Sequence, residues 1–309
     1  MSPYIFLDNW VLSGYTRGEV ANQLSAFIQA HDLTIAVDLT TLLELYNRQW
    51  GKTPSSDRTR AASHFLADHS CAIVDAQEVI FAEIRAYPNK LSDIPIMFQL
   101  DDIELPDRSE ALIMFLRRDP LFVERGKDIS LWVEAYEGSK NRWLSTKQAI
   151  IDHATAAGIL AYLPNGKFDS TASNKEAFLQ YLDHRYLRFQ NHSSLALEAQ
   201  ENLKRHLPEL FHGATAHLPG LRLTSLCFWY AYIETIKSFT PKRQGSDLGD
   251  LHRMALVPYC SYYTADNTMK ILLQRVIAEM PQGCEILNMD LLKSTLAKYS
   301  QGSGIIPRY

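Results

Sequence analysis

Residues 4–8 read Tyr-Ile-Phe-Leu-Asp, and residues 262–266 read Tyr-Tyr-Thr-Ala-Asp. Each is a short apolar run that ends in an aspartate, and residues 33–38, Leu-Thr-Ile-Ala-Val-Asp, have the same form. A short apolar run bounded by polar residues is typical of a buried strand. The three runs therefore predict three strands, each followed directly by an aspartate, and they come from opposite ends of the chain.

Helical patterns follow these strands. Residues 18–31 have apolar side chains at helical spacing, and Asp38 is placed to cap a further helix. Near the C-terminus, helices at 267–279 and 289–299 flank a short strand at 285–288. Strands that alternate with helices indicate a parallel sheet with right-handed crossovers. We therefore predict an α/β protein with a three-layer core and a central parallel sheet to which both chain ends contribute.

The middle of the chain lacks this alternation. From about residue 105 to residue 212, the segments have the apolar spacing and mixed charges of amphipathic helices. We therefore predict a core built from residues 1–100 and 213–309, split by a mainly helical insertion at residues 101–212.

Composition excludes several classes of protein. The chain has 309 residues, 46% of them apolar, and a net charge of −4, which excludes a disordered chain and a uniformly basic nucleic-acid-binding coat. No apolar run approaches the ~18 residues of a membrane span, and the N-terminus does not resemble a secretory signal. The four cysteines are isolated along the chain, as expected of reduced, mostly buried thiols. We expect a cytoplasmic protein without membrane contact.

Acidic residues follow the predicted strands. In an open parallel sheet, ligands bind beyond the carboxyl ends of the strands, where Asp8 and Asp266 stand and where the helix containing Glu44 begins. Asp247 and Asp250 are three residues apart and share one face of a further predicted helix. Each of these residues alone is most simply a turn residue or a helix cap. Together they would repel one another unless a hard divalent cation such as Mg²⁺ or Mn²⁺ were bound.

Four motifs in a fixed order resemble one family of nucleases. They are YIFLDNWVL with Asp8, TIAVDLTTLLELY with Glu44, DLGDLHRMALVPYC with Asp250, and YYTADNTM with Asp266. In this order they are similar to the motifs of PIN-domain nucleases, and the likeness covers about residues 1–50 and 223–290. Asn9 directly after Asp8, Asp38 in place of a Ser or Thr, and the long insertion depart from the family pattern.

The resemblance implies a metal-dependent endonuclease that most often acts on RNA rather than DNA. Asp8, Glu44, Asp250 and Asp266 would then hold one or two Mg²⁺ or Mn²⁺ ions and orient a water for in-line attack on phosphorus. Asp247 is either a supplementary metal ligand or a helix cap. The resemblance to this family also suggests a toxin or defence effector whose activity a regulatory or inhibitory protein controls. The chain is also a candidate to form a homo-oligomer.

Four residues are candidates for substrate binding, each with a simpler structural alternative. Asn9 either orients a phosphate or belongs to a turn, and His252 either contacts a phosphate or makes a hydrogen bond within the core. Arg185 and Arg188 are interleaved with aromatic residues, a composition that suits phosphate contacts and base stacking but also suits an amphipathic helix.

Two alternatives stand beside the nuclease hypothesis. The first is a non-catalytic PIN-like scaffold whose helical lobe binds a partner protein. It predicts that one or more of the four carboxylates is absent or out of place. The second is a phosphatase, which lacks support because no Asp-x-Asp motif follows the first strand. Glu83, on the predicted helix 76–86, is interpreted as part of a solvated helix face rather than of the metal pocket.

Overall fold

The computed structural model describes residues 3–47, 57–100, 148–165, 168–189, 218–233 and 247–299. In these residues six strands form one sheet, in the spatial order β4-β3-β2-β1-β5-β6. Their bounds are β1 Tyr4–Phe6, β2 Thr34–Asp38, β3 Cys71–Val74, β4 Ile96–Gln99, β5 Tyr262–Thr264 and β6 Glu285–Leu287. The predicted strands at both chain ends are present, and β1 and β5 lie side by side at the centre.

Five of the six strands are parallel, and the sixth makes the sheet mixed. β1 pairs in parallel with β2 and β5, while β3 extends the sheet from β2 and β6 extends it from β5. β4 pairs antiparallel with β3, so the prediction of a wholly parallel sheet is wrong at this edge. Residues 87–95 are long enough, at about 3.3 Å per residue, to take the chain back along the sheet before β4 begins.

Helices connect the strands and flank the sheet. Their bounds are α1 Asn9–Gly14, α2 Gly18–Ala30, α3 Leu39–Asn47, α4 Asp57–Ala67, α5 Ala76–Ala86, α6 148–156, α7 Ala172–Phe189, α8 Pro219–Phe228, α9 Asp247–Arg253, α10 Asn267–Glu279 and α11 Met289–Leu296. A π-helical turn, Trp229–Ile233, continues α8, and 3₁₀ segments Met254–Tyr259 and Ala297–Tyr299 follow α9 and α11. None of the helices described combines the length and apolar character that a membrane span requires.

Both faces of the sheet are covered by buried apolar side chains. Successive residues of a strand point to opposite faces, and in β1 this places Tyr4 and Phe6 in one cluster and Ile5 in the other. The cluster that contains Phe6 includes residues of α5, α8 and α10, whereas the cluster that contains Ile5 includes residues of α1 to α4 and α11. The central strands are therefore buried on both sides, which explains why their sequences are continuous apolar runs.

The described part of the predicted insertion is mainly helical, with one β-bridge between Tyr162 and Phe168, and it packs on the core. Ile150 and Ile151 of α6 and Phe178 of α7 belong to the same buried cluster as Phe6. Residues 101–147 and 190–217, which include other predicted helices of the insertion, lie outside the described residues. The limits of the insertion at 101 and 212 therefore stay a prediction.

The cysteines are as the sequence predicted. Cys71, Cys227 and Cys260 are buried free thiols, and Cys284 is partly buried.

Candidate functional site: carboxylates around Arg253

The ends of β1 and β5 are joined by one threonine hydroxyl. The backbone N–H of Asp8 donates to Thr264 Oγ1 at 2.8 Å, and Thr264 Oγ1 donates to the carbonyl oxygen of Phe6 at 3.0 Å. Thr264 is buried. This pair of hydrogen bonds fixes the turn after β1 against β5, so that Asp8 lies where the two strands end.

A buried arginine lies at the centre of the acidic residues. Arg253 is the last residue of α9, and its side chain is 2% exposed. Its Nη1 donates to Asp8 Oδ1 at 2.8 Å and to Thr41 Oγ1 at 2.9 Å. The guanidinium therefore ties the turn after β1 to the helix that follows β2.

The second nitrogen of Arg253 contacts two more carboxylates. Its Nη2 donates to Asp250 Oδ1 at 2.6 Å, and it lies 3.2 and 3.3 Å from Glu44 Oε1 and Oε2. Asp8, Glu44 and Asp250 come from three separate segments of the chain, yet they surround one guanidinium. We call these three acids together with Arg253 and Asp266 the carboxylate cluster.

Asp266 stands at the exposed side of the carboxylate cluster. It caps α10, and its Oδ1 accepts a hydrogen bond from the Met269 N–H at 2.7 Å. Its charge is close enough to raise the pKa values of Asp8 and Asp250. The structure thus brings all four predicted acids into one neighbourhood, three of them in contact with Arg253.

One guanidinium offsets only part of this negative charge. Burial raises the pKa of Asp250 to about 7, and although Arg253 acts to lower it, the neighbouring carboxylates raise it further. The pKa of Asp8 is also raised by burial, in spite of Arg253. Burial acts to lower the pKa of Arg253, but the carboxylates, that of Asp250 first, hold it well above its ordinary value. The arginine therefore stays charged, and Asp8 and Asp250 hold their protons more tightly than isolated carboxyl groups do.

Two further aspartates lie behind the cluster. Asp38 caps α3 as predicted, because its Oδ2 accepts from the Thr40 N–H at 2.9 Å, and its Oδ1 also accepts from the Ala76 N–H at 2.9 Å. Asp75 caps α5 through the Gln77 N–H, also at 2.9 Å. Burial, together with the charge of Asp38, raises the pKa of Asp75 to about 7. The sequence indicated the cap at Asp38 but not its second partner.

Of the residues predicted to bind substrate, Asn9 and His252 have side chains among the described residues. Asn9 is buried, and its Oδ1 accepts a hydrogen bond from Ser13 Oγ at 3.1 Å. His252 Nδ1 lies 3.4 Å from Gln77 Nε2, and burial together with Arg253 lowers its pKa to about 4, so the ring is neutral at pH 7. Asp247 opens α9, and Arg185 and Arg188 are in α7, but the side chains of these three lie outside the described residues.

Glu83 corrects a prediction from the sequence. It is fully buried rather than part of a solvated helix face. Its Oε1 accepts from the Gly220 N–H and the Tyr259 hydroxyl, both at 2.5 Å, and its Oε2 accepts from the Leu221 N–H at 3.0 Å. Glu83 therefore caps α8 and joins it to the 3₁₀ segment after α9. The helical pattern alone did not reveal that another helix N-terminus covers this face of α5.

Among the described residues, the carboxylate cluster offers the type of ligand atom that a divalent cation prefers, but its side chains are not arranged to hold one. Carboxylate oxygens are the ligands that Mg²⁺ and Mn²⁺ prefer, and three of them already surround a cation, the guanidinium of Arg253. In the described part of the chain, no three acidic, histidine or cysteine side chains are arranged to hold a metal ion. The reason lies in Arg253, toward which Asp8, Glu44 and Asp250 direct oxygens. Binding an ion would require some of these side chains to turn.

Arg253 itself was missed by the sequence analysis. The sequence does contain a signal for Arg253, because Arg253 follows Asp250 by three residues and therefore lies on the same face of the helix. What the spacing does not reveal is the contact with Asp8 and Glu44, which depends on the packing of α9 against the sheet edge.

The chain matches no protein-family model, no curated protein and no solved structure. The likeness to PIN-domain nucleases therefore rests on the four motifs.

Proposed function

We propose that this protein is a Mg²⁺- or Mn²⁺-dependent endonuclease with a three-layer PIN-like core, which hydrolyses phosphodiester bonds, in RNA rather than DNA. One observation supports the proposal above all others: Asp8, Glu44 and Asp250 meet at the guanidinium of Arg253, and Asp266 lies nearby. Acids gathered in this way destabilise a fold through mutual repulsion. A site that binds a cation is a physical reason for keeping them together.

The proposed roles are those that the resemblance to PIN-domain nucleases implies. Asp8, Glu44, Asp250 and Asp266 would hold the metal, with Asp247 as a supplementary ligand. A bound ion would lower the pKa of a water and stabilise the negative charge that develops on the phosphate. Asp266 is exposed, which supports the approach of a substrate from this side of the cluster.

The substrate contacts belong to the same proposal. His252 is a neutral ring beside the cluster at pH 7 and is suited to a hydrogen bond with a phosphate oxygen. Arg185 and Arg188 on α7 would contact the nucleic-acid backbone, and Asn9 would support the position of Asp8. A regulatory protein that restrains the enzyme, as expected of a toxin or defence effector in the cytoplasm, completes the proposal.

One observation favours the scaffold alternative. Arg253 already compensates part of the charge of Asp8, Glu44 and Asp250, and it takes up oxygens that a metal would need. A protein that had lost catalysis could keep its fold in this way. In that case the helical lobe would bind a partner protein, and no ion would be required.

Cleavage by the purified protein separates the two functions. The substrates are labelled single-stranded RNA, tRNA, and single- and double-stranded DNA, each with Mn²⁺, Mg²⁺ or EDTA. We expect Mn²⁺-dependent cutting of RNA that falls by about 100-fold or more in Asp8→Asn and Asp266→Asn. Asp152→Asn, an exposed acid bonded only to Gln148 among the described residues, is the matched control and should cut like the wild type. Cutting that survives EDTA, or that Asp8→Asn leaves unchanged, would contradict the proposal.

A further inference from the structure

The segment Met254–Tyr259 connects the two parts of the carboxylate cluster that come from the second half of the chain. It begins directly after Arg253, and it leads through Cys260 to β5, beyond which Asp266 stands. Its first four residues are buried. Because Arg253 is the last residue of α9, a displacement of this segment would also displace the guanidinium.

Glu83 joins this segment to two helices. Its carboxylate is fully buried, and Oε1 accepts a hydrogen bond from the Tyr259 hydroxyl at 2.5 Å. The two oxygens also accept from the first turn of α8, through the N–H groups of Gly220 and Leu221. Burial and the adjacent Glu83 raise the pKa of Tyr259 well above its ordinary value, so its hydroxyl stays a donor. One side chain of α5 therefore links α8 to the end of the segment.

The start of the segment is held by close packing. A Cβ at Gly220 would stand 2.7 Å from the Ala255 carbonyl oxygen, so the backbone of α8 lies directly against the segment. On α5, Nε2 of Gln77 lies 3.4 Å from Nδ1 of His252 in α9. α5 and α8 therefore contact the chain before and after the end of α9, and Glu83 is the hydrogen-bonded link between these two helices.

The contacts of Arg253 depend on where α9 ends. Its Nη1 donates to Asp8 Oδ1 at 2.8 Å and to Thr41 Oγ1 at 2.9 Å, on two other segments of the chain. Hydrogen bonds weaken steeply when their angle or distance departs from the ordinary range. A shift of α9 by about 1 Å would therefore weaken both contacts, and a misplacement of this size in an active site costs on the order of 100-fold in rate.

We propose that Glu83 is a positioning residue for the carboxylate cluster, which keeps Arg253 within reach of its partners. It does so through its hydrogen bonds to Tyr259 and to the start of α8. The effect on the position of Arg253 follows from the fold alone, whereas the effect on cleavage rests on the proposed function. The two effects therefore have separate tests.

A double-mutant cycle tests the position of Arg253 without any assay of activity. Tyr259→Phe removes the hydroxyl that contacts Glu83, and Thr41→Val removes the hydroxyl that accepts from Arg253. Each variant, and the two combined, is unfolded in urea as the full chain. We expect the loss in the free energy of unfolding from Thr41→Val to be about half as large in the Tyr259→Phe protein as in the wild type, because changes that act on one contact are not additive.

Thr16→Val is the matched control for the cycle. The Thr16 hydroxyl is also buried, but it donates to the nearby Leu12 carbonyl oxygen at 2.7 Å. Its removal should therefore cost the same with and without Tyr259→Phe. Equal costs of Thr41→Val in both backgrounds would overturn the inference and leave a capping role only. The inference would also be overturned if Thr41→Val cost nothing in the wild type, because this contact would then not hold the guanidinium.

Glu83→Gln provides a second and stronger change. Glutamine keeps the shape of the side chain but replaces one acceptor oxygen by an NH₂ donor, which cannot accept from the N–H groups of α8. We expect the cost of Thr41→Val to fall further in this protein. If Glu83→Gln does not fold, the cycle with Tyr259→Phe decides by itself.

Cleavage separates this inference from the proposed nuclease. If the wild type cuts RNA, Tyr259→Phe should lower kcat by about 10-fold and leave KM nearly unchanged, because it moves a partner of the acids and not a substrate contact. A non-additive cycle with no cleavage by the wild type would uphold the inference and overturn the nuclease. An additive cycle with cleavage would do the reverse. A non-additive cycle with an unchanged kcat would uphold the inference and contradict a catalytic role of the carboxylate cluster.

Discussion

The hydroxyl of Thr264 accepts a hydrogen bond from the Asp8 N–H across 256 positions of sequence, at 2.8 Å. It returns a hydrogen bond to the Phe6 carbonyl, so one buried side chain satisfies two backbone groups of the neighbouring strand. An unpaired buried backbone group costs as much as a lost hydrogen bond. Thr264 is therefore the residue that determines where the acid at the end of β1 stands relative to β5.

Replacing the Thr264 hydroxyl tests this relationship. Thr264→Val has nearly the same shape but leaves the Asp8 N–H and the Phe6 carbonyl without their partner. We expect a loss of about 1–3 kcal/mol in the free energy of unfolding, measured by urea titration. Thr264→Ser keeps the hydroxyl and should lose less. A cost in Thr264→Ser equal to that in Thr264→Val would assign the effect to packing instead of hydrogen bonding.

Gly220 lies where α8 approaches the 3₁₀ segment after α9. A Cβ at this position would stand 2.7 Å from the Ala255 carbonyl oxygen and 2.9 Å from Glu83 Oε1. We therefore expect Gly220→Ala to lower the free energy of unfolding by about 1–3 kcal/mol, because the backbone of α8 must shift away from its cap. Gly14→Ala is the matched control, since a Cβ there meets no atom within 4 Å among the described residues. Equal stability of the two variants would show that α8 can move without cost.

The raised pKa of Asp75 predicts how the free energy of unfolding depends on pH. Its pKa is raised from 3.8 to about 7, so the folded protein binds this proton more tightly than the unfolded chain does. The stability that Asp75 contributes is fully present below about pH 4 and is lost as pH rises through about 7. Asp75→Asn keeps a good N-cap for α5 but removes the titration. It should be more stable than the wild type at pH 8.5, by roughly 4 kcal/mol, and close to it at low pH.

Urea titrations at pH 5, 7 and 8.5 measure this difference. Asp152→Asn, at an exposed acid, provides the control for removing a negative charge. A stability difference between Asp75→Asn and the wild type that stayed constant over this range would contradict a raised pKa at Asp75.

Local patterns predicted much of the fold. The runs before Asp8, Asp38 and Asp266 form strands, since a continuous apolar segment between polar residues has few ways to be buried. The capping role of Asp38 was also predicted from its place between a strand and a helix. The edge strand β4 was not predicted, because its direction depends on the path of the chain through residues 87–95 and not on its own composition.

The sequence by itself determined that acids stand at the carboxyl ends of strands from both ends of the chain. Only the tertiary structure decided that Asp8, Glu44 and Asp250 share Arg253, and that Glu83 is buried under α8. The physical reason is distance along the chain: Arg253 meets Glu44 across 209 residues, and Glu83 meets Gly220 across 137. Spacing within one element predicts which side chains share a face, whereas the partner of that face is set by how the elements pack.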